Sequence, residues 1–100
     1  MQHTVSQFCD AHHLETTTNI RYMDLVCEIG ELGKELLKGS EYGHKTHENT
    51  PALEMEMGDC IFSLVALCNA LHIDMDVALG KALAKYQARF IEKGHIGSEE

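Results

Sequence analysis

Two short acidic stretches decide the fold: residues 27–35, CEIGELGKE, and residues 54–64, EMEMGDCIFSL. The first carries Glu28 and Glu31, and the second carries Glu56 and Asp59, so each holds a pair of acids spaced i, i+3. On a helix, that spacing puts both carboxylates on one face, separated by one turn. The two stretches therefore predict two helices that each present an acid pair.

The second acid pair has apolar neighbours on almost every side of its helix. These neighbours are Met55, Met57, Ile61, Phe62, Leu64, Val65 and Leu67. A helix that is apolar all round is normally buried, so we expect Glu56 and Asp59 to lie inside a core. Buried carboxylates are costly unless they are paired or bind a metal, and no Lys or Arg lies between Lys45 and Lys81. Oxygen ligands of this kind favour Mg²⁺, with Mn²⁺ as the alternative.

The first acid pair belongs to a longer acidic stripe. The stripe consists of Asp24, Glu28, Glu31 and Glu35. It lies roughly 100° around the helix from an apolar stripe made of Leu25, Ile29, Leu32 and Leu36. A solvated acidic face normally includes basic residues, but Lys34 and Lys38 lie on another side. Antiparallel packing of the two helices would bring both acid pairs around one metal site, and a solvated face is the alternative.

The rest of the chain predicts four helices in one all-α, four-helix bundle-like domain that spans residues 1–100. Thr4-x-x-Gln7 has the form of a capping box and predicts a first helix within residues 1–14. The other helices are expected over residues 20–38, over 51–71 after the Thr50 cap, and from the Asp74 cap to about residue 93. Residues 95–100 are expected to be a frayed tail.

Composition narrows the function. The net charge of −8 argues against a nucleic-acid binder and against a protein of anionic membranes. No apolar run has the length of a membrane span, and no secretory leader precedes the four cysteines, so a cytoplasmic protein with reduced thiols is expected. Cys27, Cys60 and Cys68 are interpreted as buried thiols that pack as small apolar groups. A core this modest favours a homo-oligomer.

A basic row lies on the fourth helix. Lys81, Lys85 and Arg89 recur at i, i+4 and i+8, so they share one face. The row could bind phosphates opposite the acids, or it could be an ordinary solvent-exposed basic face.

Three runs of sequence resemble the MazG-type all-α nucleotide pyrophosphohydrolases: LVCEIGELGKELLKG at 25–39, EMEMGDCIFSLVALCNALHIDMDVAL at 54–79, and KYQARF at 85–90. The signature of that family is E-E-x-x-E, a spacer, and E-x-x-D. The resemblance implies that the Mg²⁺ ligands are Glu28, Glu31, Glu56 and Asp59, and that Lys85 and Arg89 contact phosphate. The chain departs from the signature at one position, where Cys27 replaces the first Glu.

The resemblance also implies a reaction: Mg²⁺-dependent hydrolysis of a nucleoside triphosphate to the monophosphate and pyrophosphate, as in the house-cleaning of noncanonical nucleotides. Glu28, Glu31 or Glu35 could serve as the general base, with Glu31 favoured. A homodimer or homotetramer is implied. Two alternatives stay open, namely a phosphoribosyl-ATP pyrophosphohydrolase and a non-catalytic acidic helical module for interaction or regulation.

Overall fold

Four helices follow one another in a computed structural model that describes residues 1–94. They are α1 (Gln2–Ala11), α2 (Thr18–Gly39), α3 (Pro51–Ala70) and α4 (Met75–Lys93). The described residues contain no strand. This arrangement confirms the predicted all-α, four-helix class. The tail predicted over residues 95–100 lies outside the described residues.

Side-chain caps fix where α2, α3 and α4 begin. Thr17 Oγ1 accepts a hydrogen bond from the Ile20 amide at 3.3 Å, and Thr50 Oγ1 accepts one from the Leu53 amide at 3.1 Å. At the start of α4, Asp74 Oδ1 accepts from the Val77 amide at 3.0 Å. Each cap satisfies an amide that has no partner within its helix. The predicted Thr50 and Asp74 caps are therefore confirmed.

The predicted capping box of α1 is wrong. The helix already begins at Gln2, so Thr4 lies within its first turn, and Met1 makes no side-chain cap. Instead, Gln2 Nε2 donates to the Ile73 carbonyl at 2.7 Å, and Gln2 Oε1 accepts from the Met75 amide at 2.8 Å. These long-range bonds attach the start of α1 to the turn between α3 and α4. The local pattern could not reveal them, because both partners lie more than 70 residues away along the chain.

The core lies where α3 packs against α2 and α1. The helices α2 and α3 form an antiparallel hairpin, and α1 contacts α3. Phe8 of α1 meets Phe62 of α3 edge to face, with ring centroids 6.0 Å apart. In the described part of the chain the buried apolar side chains are few; they are Cys9, Leu53, Cys60, Val65 and Ala66. The axis of α4 turns 100° away from that of α3, and α4 has no buried residue.

The expectation that α3 is buried on all sides is wrong within a single chain. Met55 is 68% exposed and Ile61 is 44% exposed. The physical reason is that one hairpin partner and one short helix cannot enclose a 20-residue helix. The Cα radius of gyration is 16.9 Å, whereas a compact domain of this length has about 13 Å. Cys27 is exposed rather than buried, Cys60 is buried as expected, and Cys68 is half-buried.

Membrane-spanning potential is limited to one bent pair. Over residues 1–94, no single helix is long and apolar enough to cross a membrane, and α3 with α4 meets the criteria of length and composition only when the two are taken together across their 100° bend.

The loop between α2 and α3 is held against Gly39, which is buried at the end of α2. A Cβ atom at this position would lie 2.6 Å from His47 Nδ1 and 2.9 Å from the Glu48 carbonyl oxygen. The same imidazole is 2.8 Å from Asn49 Oδ1 through its Nε2. Glycine is therefore required at position 39 by the close approach of the loop.

Gly39→Ala should destabilise the protein by about 1–3 kcal/mol, because the loop must move away from the new methyl group. For a domain of this size each kcal/mol lowers Tm by about 4–8 °C, which differential scanning fluorimetry resolves. Gly80→Ala is the matched control, since an added Cβ there meets nothing within 4 Å. It should leave Tm equal or higher through helix propensity. An unchanged Tm in Gly39→Ala would contradict the packing of this loop.

Candidate metal centre

The candidate centre lies on one flank of the α2–α3 hairpin. One carboxylate oxygen from each of Glu28, Glu56 and Asp59 lies within 4.8 Å of the other two. Glu28 comes from α2, whereas Glu56 and Asp59 lie one turn apart on α3. The i, i+3 spacing and the antiparallel packing together bring three of the four predicted metal ligands to one place.

Glu31 and Glu35 lie near this centre without joining the three acids. Glu31 is exposed, and Glu35 is half-buried and pairs with Lys38 at 3.3 Å. Both nevertheless contribute to the charge around Glu56. We call Glu28, Glu56 and Asp59 the three-carboxylate centre, and Glu31 is its exposed neighbour on α2.

The prediction that these acids lie inside a core is wrong. Neither Glu56 nor Asp59 is buried, and Glu28 is half-buried. The centre therefore lies at the rim of the α2–α3 groove and is open on one side. A ligand from solvent can reach it without any change in the fold.

Burial and electrostatic repulsion raise the pKa of two groups at the centre. Burial raises the pKa of the Glu56 carboxyl, and the charges of Asp59, Glu28, Glu31 and Glu35 raise it further, in that order. Burial also raises the pKa of the neighbouring Cys60 thiol, followed by the charges of Glu28, Asp59 and Glu56. The Cys60 thiol therefore stays protonated at neutral pH. The sequence predicted Cys60 only as a core residue and not its electrostatic interaction with the acids, for which the adjacent position 59 was the available clue.

The centre has the donor set of a hard divalent cation. Ion pairs among residues 1–94 use Glu35, Glu41 and Glu48, and none of those in the described chain involves Glu28, Glu56 or Asp59. Three converging carboxylates without a basic partner repel one another, and a cation relieves that repulsion. Oxygen donors with no sulfur or imidazole among them match Mg²⁺ or Mn²⁺ better than zinc.

The basic row lies on α4, away from the three-carboxylate centre. Lys85 lies on α4, where its ammonium is 5.0 Å from the centre of the Tyr86 ring. Because α4 turns 100° from α3, the helical rise places the backbone of Lys85 about 20 Å from that of Asp59. A lysine side chain does not span that distance, so Lys85 does not reach the acids of its own chain. Lys81 and Arg89 lie on the same helix.

Glu56→Gln should raise the Tm of the metal-free protein at neutral pH. A carboxyl whose pKa is raised by folding opposes folding above that pKa, and its unfavourable contribution disappears as pH falls through it. The neutral amide carries no such cost at any pH, whereas the wild-type carboxyl loses its cost on acidification. The Tm gain of the variant should therefore shrink as the pH falls. Melting curves between pH 4 and 8 in the presence of EDTA measure it. Equal or lower Tm in the variant at neutral pH would contradict the assigned repulsion.

Together, the fold and the site define an all-α protein with a carboxylate centre suited to a divalent cation. The MazG nucleotide pyrophosphohydrolase domain matches residues 15–91, well over half of the chain. The chain therefore belongs to the MazG nucleotide pyrophosphohydrolase family, as the acid pairs suggested.

One similar curated protein comes from Bacillus subtilis (strain 168), the uncharacterized protein YpjD. It is 35% identical over 65 residues, which cover 62% of this chain and 57% of YpjD. The match thus spans little more than half the length of that relative. A comparison with solved structures gave no match.

Proposed function

We propose that this protein hydrolyses a nucleoside triphosphate to the monophosphate and pyrophosphate in a Mg²⁺-dependent reaction. The observation that carries the proposal is the convergence of Glu28, Glu56 and Asp59 within 4.8 Å, in a chain of the MazG family. House-cleaning of noncanonical nucleotides in the cytoplasm is the role we assign to this activity.

The three-carboxylate centre would hold Mg²⁺, with Mn²⁺ able to replace it. A bound ion supplies electrostatic stabilisation of the charge that develops on phosphate oxygens. The open side of the centre leaves room for a triphosphate. Once a bound cation neutralises the acids, the carboxylates no longer repel the negatively charged phosphates. The substrate is thus attracted by the ion, although the protein itself carries a net charge of −8.

Glu31 is the residue that we assign as general base. It lies one turn from Glu28 on α2, is exposed, and stands outside the three-carboxylate centre. A carboxylate that is not occupied by metal can accept the proton of the attacking water. Glu28 belongs to the centre, and Glu35 is engaged by Lys38 at 3.3 Å, so both fit this role less well.

A panel of canonical and noncanonical nucleoside triphosphates, together with phosphoribosyl-ATP, tests the proposed activity. With Mg²⁺ present, at least one nucleoside triphosphate should yield pyrophosphate. Turnover of phosphoribosyl-ATP alone would assign the phosphoribosyl-ATP pyrophosphohydrolase activity instead. No pyrophosphate from any compound would favour the non-catalytic module.

We further propose that the protein acts as a homodimer through an apolar face of the hairpin. This apolar face consists of Val26, Ile29, Leu36 and Leu37 on α2 and Met57, Ile61 and Leu64 on α3, each at least 43% exposed. At about 100° per residue, these side chains lie on the flank of each helix that points away from the acids. Pairing two such faces would leave both acidic flanks open.

The exposed area of a single chain supports this assembly. The chain exposes 7475 Å², whereas a compact monomer of its mass exposes about 5,700 Å². The excess of roughly 1,800 Å² per chain is in the range that an obligate homodimer buries. A second copy is the natural occupant, because a two-fold axis pairs one apolar face with itself.

The dimer also suggests a place for the basic row. Since Lys85 cannot reach the acids of its own chain, Lys85 and Arg89 would contact phosphate from α4 of the second copy. The apolar stripe of α4 supports such docking; its members are Leu79, Leu83, Tyr86 and Phe90, and all are exposed in the single chain. Their spacing of four, three and four residues is typical of a helix that packs along another helix.

A further inference from the structure

The apolar face continues along α2 as far as Tyr22, which is 55% exposed. Tyr22 precedes Ile29 by seven residues and Leu36 follows Ile29 by seven, so all three lie on one side of the helix. With Val26 and position 33 between them, the stripe has the four-three spacing of a helix that packs along another helix. Ile29 is therefore the middle of the stripe, and each end lies about 10 Å from it along the axis.

A glycine interrupts this stripe at position 33. Gly33 is half-buried, and a Cβ atom added there would meet nothing within 4 Å in the single chain. Glycine destabilises the interior of a helix relative to alanine, and no neighbouring group of the described chain requires it here. The gap at Gly33 leaves room for a side chain that approaches from outside the chain.

A hollow opens on the same side of the hairpin, at the start of α3. It has a volume of about 480 Å³, and its apolar walls are Pro51, Leu53 and Met57. Met57 also belongs to the apolar face, so the hollow continues that surface. We call it the α3 hollow.

The register of the hairpin relates the α3 hollow to the middle of the stripe. The Glu48 amide donates to the Gly39 carbonyl at 3.1 Å, so these two residues lie opposite each other. Ten residues back along α2 and ten forward along α3, Ile29 lies opposite position 58. Leu64, which is 43% exposed, follows position 58 by six residues, and the middle of the α3 hollow precedes it by about six. Both therefore lie about 9 Å from the middle, in opposite directions.

We propose that α2 packs antiparallel against α2 of a second copy, about a two-fold axis that passes beside Ile29. Such an axis exchanges the two ends of the hairpin, because a two-fold interface pairs one surface with itself. Leu64 of each copy then enters the α3 hollow of the other, and Val26 of each copy packs into the gap at Gly33 of the other. The inference rests on the proposed homodimer and adds the arrangement of its two chains.

Disulfide formation by Ile29→Cys tests the arrangement, because only a residue at the axis meets its own equivalent. The Cβ atoms of a disulfide are about 3.5–4.5 Å apart. Leu36→Cys is the matched control on the same stripe, and its equivalent would lie about 20 Å away. Both variants are made in a Cys27→Ser background, since the Cys27 thiol is exposed. After mild oxidation, Ile29→Cys should run mainly at twice 11.2 kDa on a non-reducing gel, and Leu36→Cys at 11.2 kDa.

Gly33→Leu tests the close approach of the two α2 helices. Within the single chain its Cβ atom meets nothing within 4 Å, and leucine favours a helix more than glycine does, so the helical circular dichroism should be retained. The new side chain should collide with Val26 of the second copy and lower the mass in light scattering to 11.2 kDa. Gly80→Leu on α4 is the control, because a Cβ atom there also meets nothing within 4 Å, and its mass should equal that of the wild type.

The outcomes separate the arrangement from the proposals on which it rests. Equal cross-linking of Ile29→Cys and Leu36→Cys, no cross-linking of Ile29→Cys in a dimeric protein, or a dimeric Gly33→Leu would each overturn the arrangement and leave the homodimer standing. A wild-type protein of 11.2 kDa would overturn both the arrangement and the homodimer. Neither result depends on pyrophosphate release, which tests the proposed activity separately.

Discussion

Asp59→Asn should abolish Mg²⁺-dependent pyrophosphate release, with a loss of at least about 10³-fold in kcat/KM. The substitution keeps the size of the side chain but removes one negative charge from three carboxylates that meet within 4.8 Å. A divalent cation held by the remaining two acids should be less tightly bound and less well positioned. Steady-state assays at saturating Mg²⁺ measure the effect on turnover, and the Mg²⁺-induced Tm shift measures the effect on binding.

Glu54→Gln is the matched control for this substitution. Glu54 is an exposed acid on the first turn of α3 and lies outside the three-carboxylate centre. Its amide variant should retain turnover within about 3-fold, because only a weak interaction with the helix N-terminus is lost. Wild-type turnover in Asp59→Asn would overturn the assignment of the metal centre, and equal losses in both variants would indicate a general effect of charge.

Ile61→Asp should dissociate the proposed homodimer and lower the stability of the fold. Ile61 belongs to the apolar face and is 44% exposed in the single chain. In the proposed dimer, a charge at this position would be buried without a partner and would cost at least about 3 kcal/mol per subunit. Light scattering at micromolar concentration should give twice 11.2 kDa for the wild type and 11.2 kDa for the variant. The wild-type Tm should also rise with protein concentration.

Lys34→Glu is the control for the dimer, because Lys34 lies on α2 outside both the apolar face and the acidic stripe. It changes charge on the same hairpin and should leave the mass unchanged. A wild-type protein of 11.2 kDa at 50 μM would contradict the dimer.

The parts of the fold that the sequence predicted are those that depend on local chemistry. Thr50 and Asp74 cap helices through amides three residues away, and acids at i, i+3 share a face in any α-helix. The proximity of Glu28 to Glu56 and Asp59 could be predicted for the same reason, because it requires only that two helices pack antiparallel.

The parts that the sequence did not predict depend on long-range packing. Gln2 contributes to the start of α1 through bonds to Ile73 and Met75, which no local pattern contains. The apolar character of α3 was interpreted as burial within one chain, whereas Met55 and Ile61 stay exposed. An apolar helix face indicates that a partner covers it, but it does not indicate whether that partner is the same chain or a second copy. The 100° turn before α4 likewise depends on the contacts of the turn and not on helix periodicity.

Phosphorus-31 NMR of a nucleoside triphosphate during turnover shows which phosphate bond is cleaved and whether cleavage needs the metal. The proposed activity at the three-carboxylate centre predicts that monophosphate and pyrophosphate appear in equal amounts in Mg²⁺, that no orthophosphate appears, and that EDTA stops the reaction. Release of nucleoside diphosphate and orthophosphate, or turnover that continues in EDTA, would contradict it.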